Sequence, residues 1–480
     1  MASYLHTFFP EVKIPLDPNE VVSPAQFSLP SSSAKQELTP VDLVIPGVYG
    51  TRWILCFPLA PKADKAQIFH NLRQGLAHTI NSIPWISGNV GSEEGSKPQI
   101  VDSSIPGVVL RHQDLAGTMP SYAELEEQRF PLGKLTTAQL SPVGCIPTSP
   151  APVMVTQANF IEGGLLLTVA IHHHATDATG LGEILRTWAQ NTAAAASGSS
   201  TFTSYDASSN DRSVLMHGIP PKNKADFPEY TIKAPKEQIA PEAAPPPPAA
   251  FQLPPMDFNI FHFSSAKLAG LKLDAAAYST NDAMSAFLWH HMTKARNPSS
   301  SPADLEGKTS AWAYAVNTRG RATPPLPSTY LGNAAVLGMT ERLPVSELLA
   351  GESGLAHAAT AIRASLKRHE SPTLVQELVG LLDAHPGCCD LAYNSFMGPD
   401  VVSTSWADVE AYSTGWGNDL GAPAFLRVPG DGADGLVNIL PRRPDDDGGL
   451  EVIVWLEAGA MGRLWEARSS CGSRSFGASF

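Results

Sequence analysis

The chain has 480 residues, 43% of them hydrophobic and 16% charged, with a formal net charge of −13. That length exceeds one ordinary core and points to two or three domains. The acidic balance, with no basic run anywhere, excludes a nucleic-acid partner. No apolar run approaches the roughly 20 residues that a membrane helix requires. The N-terminus "MASYLHTFFPEVKIPLD" lacks the basic and apolar regions of a signal peptide. Five cysteines, Cys56, Cys145, Cys388, Cys389 and Cys471, are odd in number and irregular in spacing, which argues against a disulfide framework. The expectation is a reduced, cytoplasmic protein with no membrane partner.

In chain order, "TRWILCFPL" (51–59) reads as a strand, and "KADKAQIFHNLRQGLAHTINSI" as an amphipathic helix with Ile68, Leu72, Leu76 and Ile80 on one face. "PQIVD" and "GVVLRH" read as further strands, and "GLGEILRTWAQNTAA" as a helix, so the first half alternates strands and helices. Residues 194–250 turn rich in Ala, Ser, Pro and Lys, and Pro245 to Pro248 can neither join a sheet nor continue a helix. The expected organisation is an N-terminal domain (1–225), a crossover linker (226–256) and a C-terminal domain (257–480).

Beyond the linker, "FNIFHFSSAKLAGLK" gives a strand and a short helix, and "STNDAMSAFLWHHMTKAR" a helix capped by Ser279 or Thr280 with Asp282 in its first turn. "TSAWAYAVNTRGR" alternates like a strand. "GLVNILPRRPDDDGGLEVIVWLE" reads as a hairpin with an acidic turn, and "GAMGRLWEAR" as a terminal helix.

The stretch "LLLTVAIHHHATDATGLGE" (165–183) sets three histidines at the end of an apolar run. On a strand, His172 and His174 share one face while His173 joins Val169 and Ile171 on the other. Three readings stand side by side. His172 and His174 could be metal ligands with Asp177 or another residue as third ligand, but three or four convergent ligands are needed and the other histidines are scattered. They could be satisfied polar residues closing a buried strand. One of them could be a general base, since an imidazole with a pKa near 6.5 can take a proton from an attacking hydroxyl or amine.

His172-His173 followed after three residues by Asp177 matches the His-His-x-x-x-Asp signature of CoA-dependent acyltransferases and of condensation domains. "STNDAMSAFLWHHMTKAR" and "VNTRGRATPPLPSTYLGN" (316–333) resemble segments of the BAHD acyltransferases. "TSW" (404–406) followed by "STGWG" (413–417) resembles their Asp-Phe-Gly-Trp-Gly region. The "DATG" after His174 leans toward the fungal, trichothecene 3-O-acetyltransferase-like branch.

That resemblance implies an α/β fold of two similar-sized chloramphenicol-acetyltransferase-like domains, each a mixed sheet flanked by helices, with an active-site channel between them. It implies His173 as general base, Asp177 turned away and paired with Arg319, and Thr404 and Trp406 near the tetrahedral intermediate. Gly415, Trp416 and Gly417 are implied as structural support. It further implies acyl-CoA, with acetyl as the guess, as co-substrate and no permanently bound cofactor or metal. It implies a small-molecule alcohol or amine as acceptor and a monomeric state. Ser413 stands where the family has aspartate, with Asp419 as a possible substitute, Thr414 stands where it has phenylalanine, and Ala178 replaces the usual glycine. Two other readings share the motif: a condensation enzyme using a carrier-bound donor, and a fold relative that binds or cyclises a hydrophobic metabolite.

Overall fold

The computed structural model describes residues 20–25, 35–92, 96–103, 107–233, 254–299, 301–444 and 447–470. Most of the Pro-rich linker, at 234–253, and Asp445 and Asp446 of the acidic turn lie outside the described residues.

The first half supplies β1 (Val21–Val22), β2 (Thr51–Pro58), β3 (Val108–Asp114), β4 (Met154–Ile161) and β5 (Gly164–Ile171). The second half supplies β6 (Met256–Phe263), β7 (Trp312–Asn317), β8 (Ala335–Met339), β9 (Val401–Ser405), β10 (Phe425–Arg427), β11 (Leu436–Ile439) and β12 (Leu450–Glu457). They form two six-stranded mixed sheets, in the orders β1-β3-β4-β5-β2-β10 and β6-β12-β11-β9-β7-β8. β3–β4, β11–β9 and β9–β7 pair in parallel, and the other neighbours are antiparallel.

Helices α1 (Pro40–Val44), α2 (Lys65–Ser82), α3 (Ala178–Ala196), α4 (Thr280–Arg296), α5 (Gly351–Arg368) and α6 (Ala458–Ser470) accompany the sheets. Ile68, Leu72, Leu76 and Ile80 of α2 are all buried, each contributing about 1.5–3 kcal/mol on leaving water. α4 begins with a full capping box: Ser279 accepts from the Asp282 N–H and Asp282 from the Ser279 N–H, so two orphan donors are satisfied at once. Every residue of β4 and β5 is buried, which fits strands covered on both faces and explains the nearly continuous apolar run of β5. The hairpin is present as β11 and β12, with Val437 opposite Val454.

The two large hydrophobic cores each draw on both halves of the chain. β10 crosses to pair with β2, and Trp406, Tyr412 and Trp416 pack into the first core. Conversely, Val41, Leu215, Phe227 and Tyr230 pack into the second. Arg427 of β10, fully buried, donates to both carboxylate oxygens of Glu451 on β12 at 2.8 and 3.2 Å, tying one sheet to the other. Trp406, the first residue past β9, sits edge-on to Trp53 of β2 with centroids 5.5 Å apart. The end of β9 therefore meets the first sheet.

Candidate active site

The pairing of β5 with β2 stops at Ile171 opposite Thr51. His172, His173 and His174 follow in a turn, closed by the Ala175 N–H on the His172 carbonyl at 2.9 Å. This corrects the expectation that all three stand on the strand. The His172 N–H goes to Val153 and the His173 N–H to Val48, each at 2.8 Å, so the ladder splits between two partners and the chain turns.

His172 and His174 share a side, their rings 5.1 Å apart. His172 Nδ1 accepts the His174 N–H at 3.2 Å, and His174 Nε2 lies 3.0 Å from the Ile45 carbonyl. Burial, then the neighbouring histidines, push His172 down to about 3, so it is neutral at any ordinary pH. Among the described residues no group of three or more His, Cys, Asp and Glu is placed to hold a metal ion. His172 Nδ1 and His174 Nε2 thus have hydrogen-bond contacts, while His174 Nδ1 is buried without one.

His173 is half-buried, with its ring edge against Gly50, where a Cβ would come within 3.3 Å. Burial lowers its pKa below the ordinary value of 6.5, an effect opposed by nearby backbone, Asp177 and Asn333. The ring is therefore neutral at pH 7, the state a general base must start from.

Asp177 is the N-cap of α3 and accepts the Gly180 N–H at 2.9 Å, which is why the helix starts there. Arg319 meets both its oxygens, at 2.9 and 2.8 Å, and the Ala334 N–H adds a fourth bond at 2.9 Å. Burial alone would raise the Asp177 pKa, but the Arg319 charge and the N–H donors outweigh it and hold the carboxyl below its usual range. Arg319 also donates to the carbonyls of Tyr330 and Gly332. The pair thus clamps the histidine turn to the 330–334 segment.

Thr404 lies on β9, half-buried and opposite Asn438, two residues before Trp406. Trp406 is buried, and its backbone N–H bonds the Ile439 carbonyl at 2.8 Å. Trp416 packs edge-on against Trp188 and Phe57 at 5.2 and 5.7 Å. Gly417 takes φ +102° against α3, where a Cβ would lie 2.9 Å from that of Ala196. Gly415 has open space instead. Ser413 is exposed and reaches only Glu410, and Asp419, also exposed, joins no ion pair among the described residues.

Two residues close to His173 were not singled out by sequence. Asn333 Nδ2 donates to the His173 carbonyl at 2.8 Å, and Asp42 on α1 accepts from Asn333. Asn333 ends the "YLGN" stretch, so it carried a signal; Asp42 reads locally as a helix-capping acid and carried none.

Between the halves lies a cavity of about 330 Å³ lined by Leu132, Thr137, Cys145, Phe258 and Asp431 among others. It is apolar except where Arg52 and Thr137 bond Asp431 at 2.9 and 2.7 Å. No helix among the described residues is long and apolar enough to cross a membrane.

The profile of the Transferase family matches residues 12–470. Acyltransferase cm3D of Cordyceps militaris is 29% identical over 86% of this chain and 90% of its own. Eremophilane O-acetyltransferase ORF8 of Penicillium roqueforti is 29% identical over 89% of this chain and 96% of its own. In structure, TRI101 of F. sporotrichioides, solved with coenzyme A and T-2, aligns with a TM-score of 0.73 at 24% identity over 90% of this chain and 97% of its own.

Proposed function

The chain belongs to the Transferase family and is an acyltransferase of the BAHD type, and from this premise we propose the reaction and the residues that carry it out. The reaction is transfer of an acyl group, acetyl in the first instance, from acyl-CoA to a hydroxyl or amine of a small secondary metabolite. His173 is the general base. Its neutral ring takes the acceptor proton as the oxygen or nitrogen attacks the thioester carbonyl. Collapse of the tetrahedral intermediate breaks the C–S bond, and the leaving thiolate takes the proton back from the imidazolium. General-base assistance of this kind is worth about 10²–10⁴-fold.

The observation that carries this reading is the turn itself. Asp177 is fully engaged by Arg319 and two backbone N–H groups, so it orients His173 and leaves the ring as the one free base on the motif. Thr404 and Trp406 are assigned to the developing oxyanion, as hydroxyl and indole N–H donors at the end of β9. Gly415, Trp416 and Gly417 are assigned to structural support, Trp416 and Gly417 by packing on α3. We further propose a cytoplasmic monomer with domains 1–225 and 257–480 joined by the crossover 226–256, no permanent cofactor, and no metal.

The test is release of free CoA thiol from acetyl-CoA and longer acyl-CoAs, with a pool of hydroxylated metabolites as acceptor. Acceptor-dependent release is expected. No release with any CoA donor, but transfer from a carrier-bound donor, would overturn it in favour of a condensation enzyme.

A further inference from the structure

A row of neighbouring positions crosses four strands of the second sheet. Thr404 of β9 is in register with Asn438 of β11, Asn438 with Ile453 of β12, and Ile453 with Ile260 of β6. Register partners on adjacent strands share a face. On β11 the alternate residues Val437 and Ile439 fill the second core, whereas Ile453 belongs to the first core and Leu436 and Ile260 pack against it. The row therefore looks toward the first sheet. Trp406, just past β9 and two residues after Thr404, rests edge-on against Trp53 of β2. Trp53 is three residues beyond Gly50, against which the His173 ring lies.

Asn438 is the misfit in this row. It is 5% exposed, its Oδ1 is buried with no hydrogen-bond partner, and its Nδ2 makes no hydrogen bond among the described residues. Turned either way, the carboxamide leaves a buried polar atom unpaired. An unpaired buried amide costs stability, and leucine, of nearly the same size, would sit beside Ile453 without that cost. Packing thus gives no reason for asparagine here. A ligand that brings a hydrogen-bond donor to the amide oxygen does.

We propose that Asn438 binds the pantetheine arm of the acyl donor, its Oδ1 accepting the N–H of the cysteamine amide. The proposal rests on acyl transfer from CoA and on Thr404 lying at the thioester carbonyl. Thr404 and Asn438 stand on neighbouring strands, about 4.8 Å apart. In an acyl thioester of CoA, only the sulfur and a two-carbon unit separate the thioester carbonyl from the cysteamine nitrogen, a span of that same order. With the carbonyl at Thr404, the amide N–H falls beside Asn438. The acyl donor offers no other hydrogen-bond donor so close to its reacting carbon.

The experiment compares the full-length protein with Asn438→Leu, and with Asn438→Ala as a second variant that cannot clash. Three acetyl donors are used: acetyl-CoA, S-acetyl-N-acetylcysteamine, which keeps the amide alone, and S-butyl thioacetate, which has none. A neutral hydrogen bond is worth about 5- to 10-fold in binding. Wild type is therefore expected to favour the amide-bearing small thioester over S-butyl thioacetate by about 5- to 10-fold in kcat/KM, and both variants to lose that preference. With acetyl-CoA the loss falls on the donor KM, about 5- to 10-fold, rather than on kcat. A binding arm needs no turnover: free CoA should bind the variants about 5- to 10-fold more weakly, and adenosine 3′,5′-diphosphate as it binds wild type. The unfolding midpoint of Asn438→Leu should equal or exceed that of wild type, since no bond within the protein is lost. An unchanged thioester preference with unchanged CoA affinity overturns the proposal, and a lowered midpoint beside them makes Asn438 a structural residue. A fall in kcat at constant donor KM overturns it in favour of a contact to the oxyanion, and a raised acceptor KM alone in favour of a contact to the acceptor. No transfer from any thioester, with CoA binding still weakened in the variants, defeats the acyl-transfer reading and leaves the amide contact standing.

Discussion

Replacing Arg319 with methionine keeps bulk and removes the cation from the most heavily bonded carboxylate of the motif. In wild type, Asp177 accepts four bonds, two of them from Arg319 at 2.8 and 2.9 Å. The variant leaves a buried carboxylate with two backbone donors, and also frees the Tyr330 and Gly332 carbonyls. Removing one partner of a buried pair costs about 3–5 kcal/mol, a large part of a typical folding stability of about 5–15 kcal/mol. The pH dependence gives the sign. In wild type the Asp177 pKa is depressed in the folded state, so its stabilisation is present above the unfolded value near 3.9 and is lost as pH falls through the folded one. In Arg319→Met the folded pKa rises above the unfolded one, so the variant is penalised at neutral pH and relieved as the acid protonates. Urea unfolding followed by tryptophan fluorescence at pH 7 and pH 4 is the assay. A deficit of about 3–5 kcal/mol at pH 7 that narrows at pH 4 is expected. A deficit under about 0.5 kcal/mol, or one equal at both pH values, would refute the assignment of Asp177–Arg319 as the clamp.

Trp406→Phe keeps a ring on Trp53 and deletes the indole N–H; kcat should fall about 10²–10³-fold at steady unfolding midpoint if the donor serves the oxyanion, and stay within threefold if the ring only packs. Gly417→Ala should destabilise by about 1–3 kcal/mol in urea unfolding, because φ +102° strains any other residue and the new methyl meets Ala196, whereas Gly415→Ala should be nearly neutral. The pH profile of kcat/KM should be flat through neutrality and fall only in acid, with a midpoint below 6.5, since burial keeps the His173 ring easier to deprotonate than a free histidine.

Much of the fold was legible because its signals are local. The α2 face Ile68, Leu72, Leu76 and Ile80 and the Ser279–Asp282 cap need only neighbours in sequence, and both read directly. β10 did not, because three residues are too few for alternation to register, and its pairing with β2 spans the two halves. Around the site, Asp177 and Arg319 could be anticipated only through family resemblance, their 142-residue separation being invisible to periodicity. Asp42 carried no such cue: "TPVD" looks like any helix start, and only the folded chain brings it beneath Asn333. The strand reading of His172–His174 failed by a few residues, because the backbone partners change from β2 to separate loops just where the apolar run ends.

The most direct measurement compares wild type with His173→Ala for acceptor-dependent release of CoA thiol from acetyl-CoA, alongside their unfolding midpoints. With His173 as the base, release is expected to fall by about 10²–10⁴-fold while the midpoint stays near wild type. Release within a few-fold of wild type in a folded variant would contradict the assignment of His173 as the base.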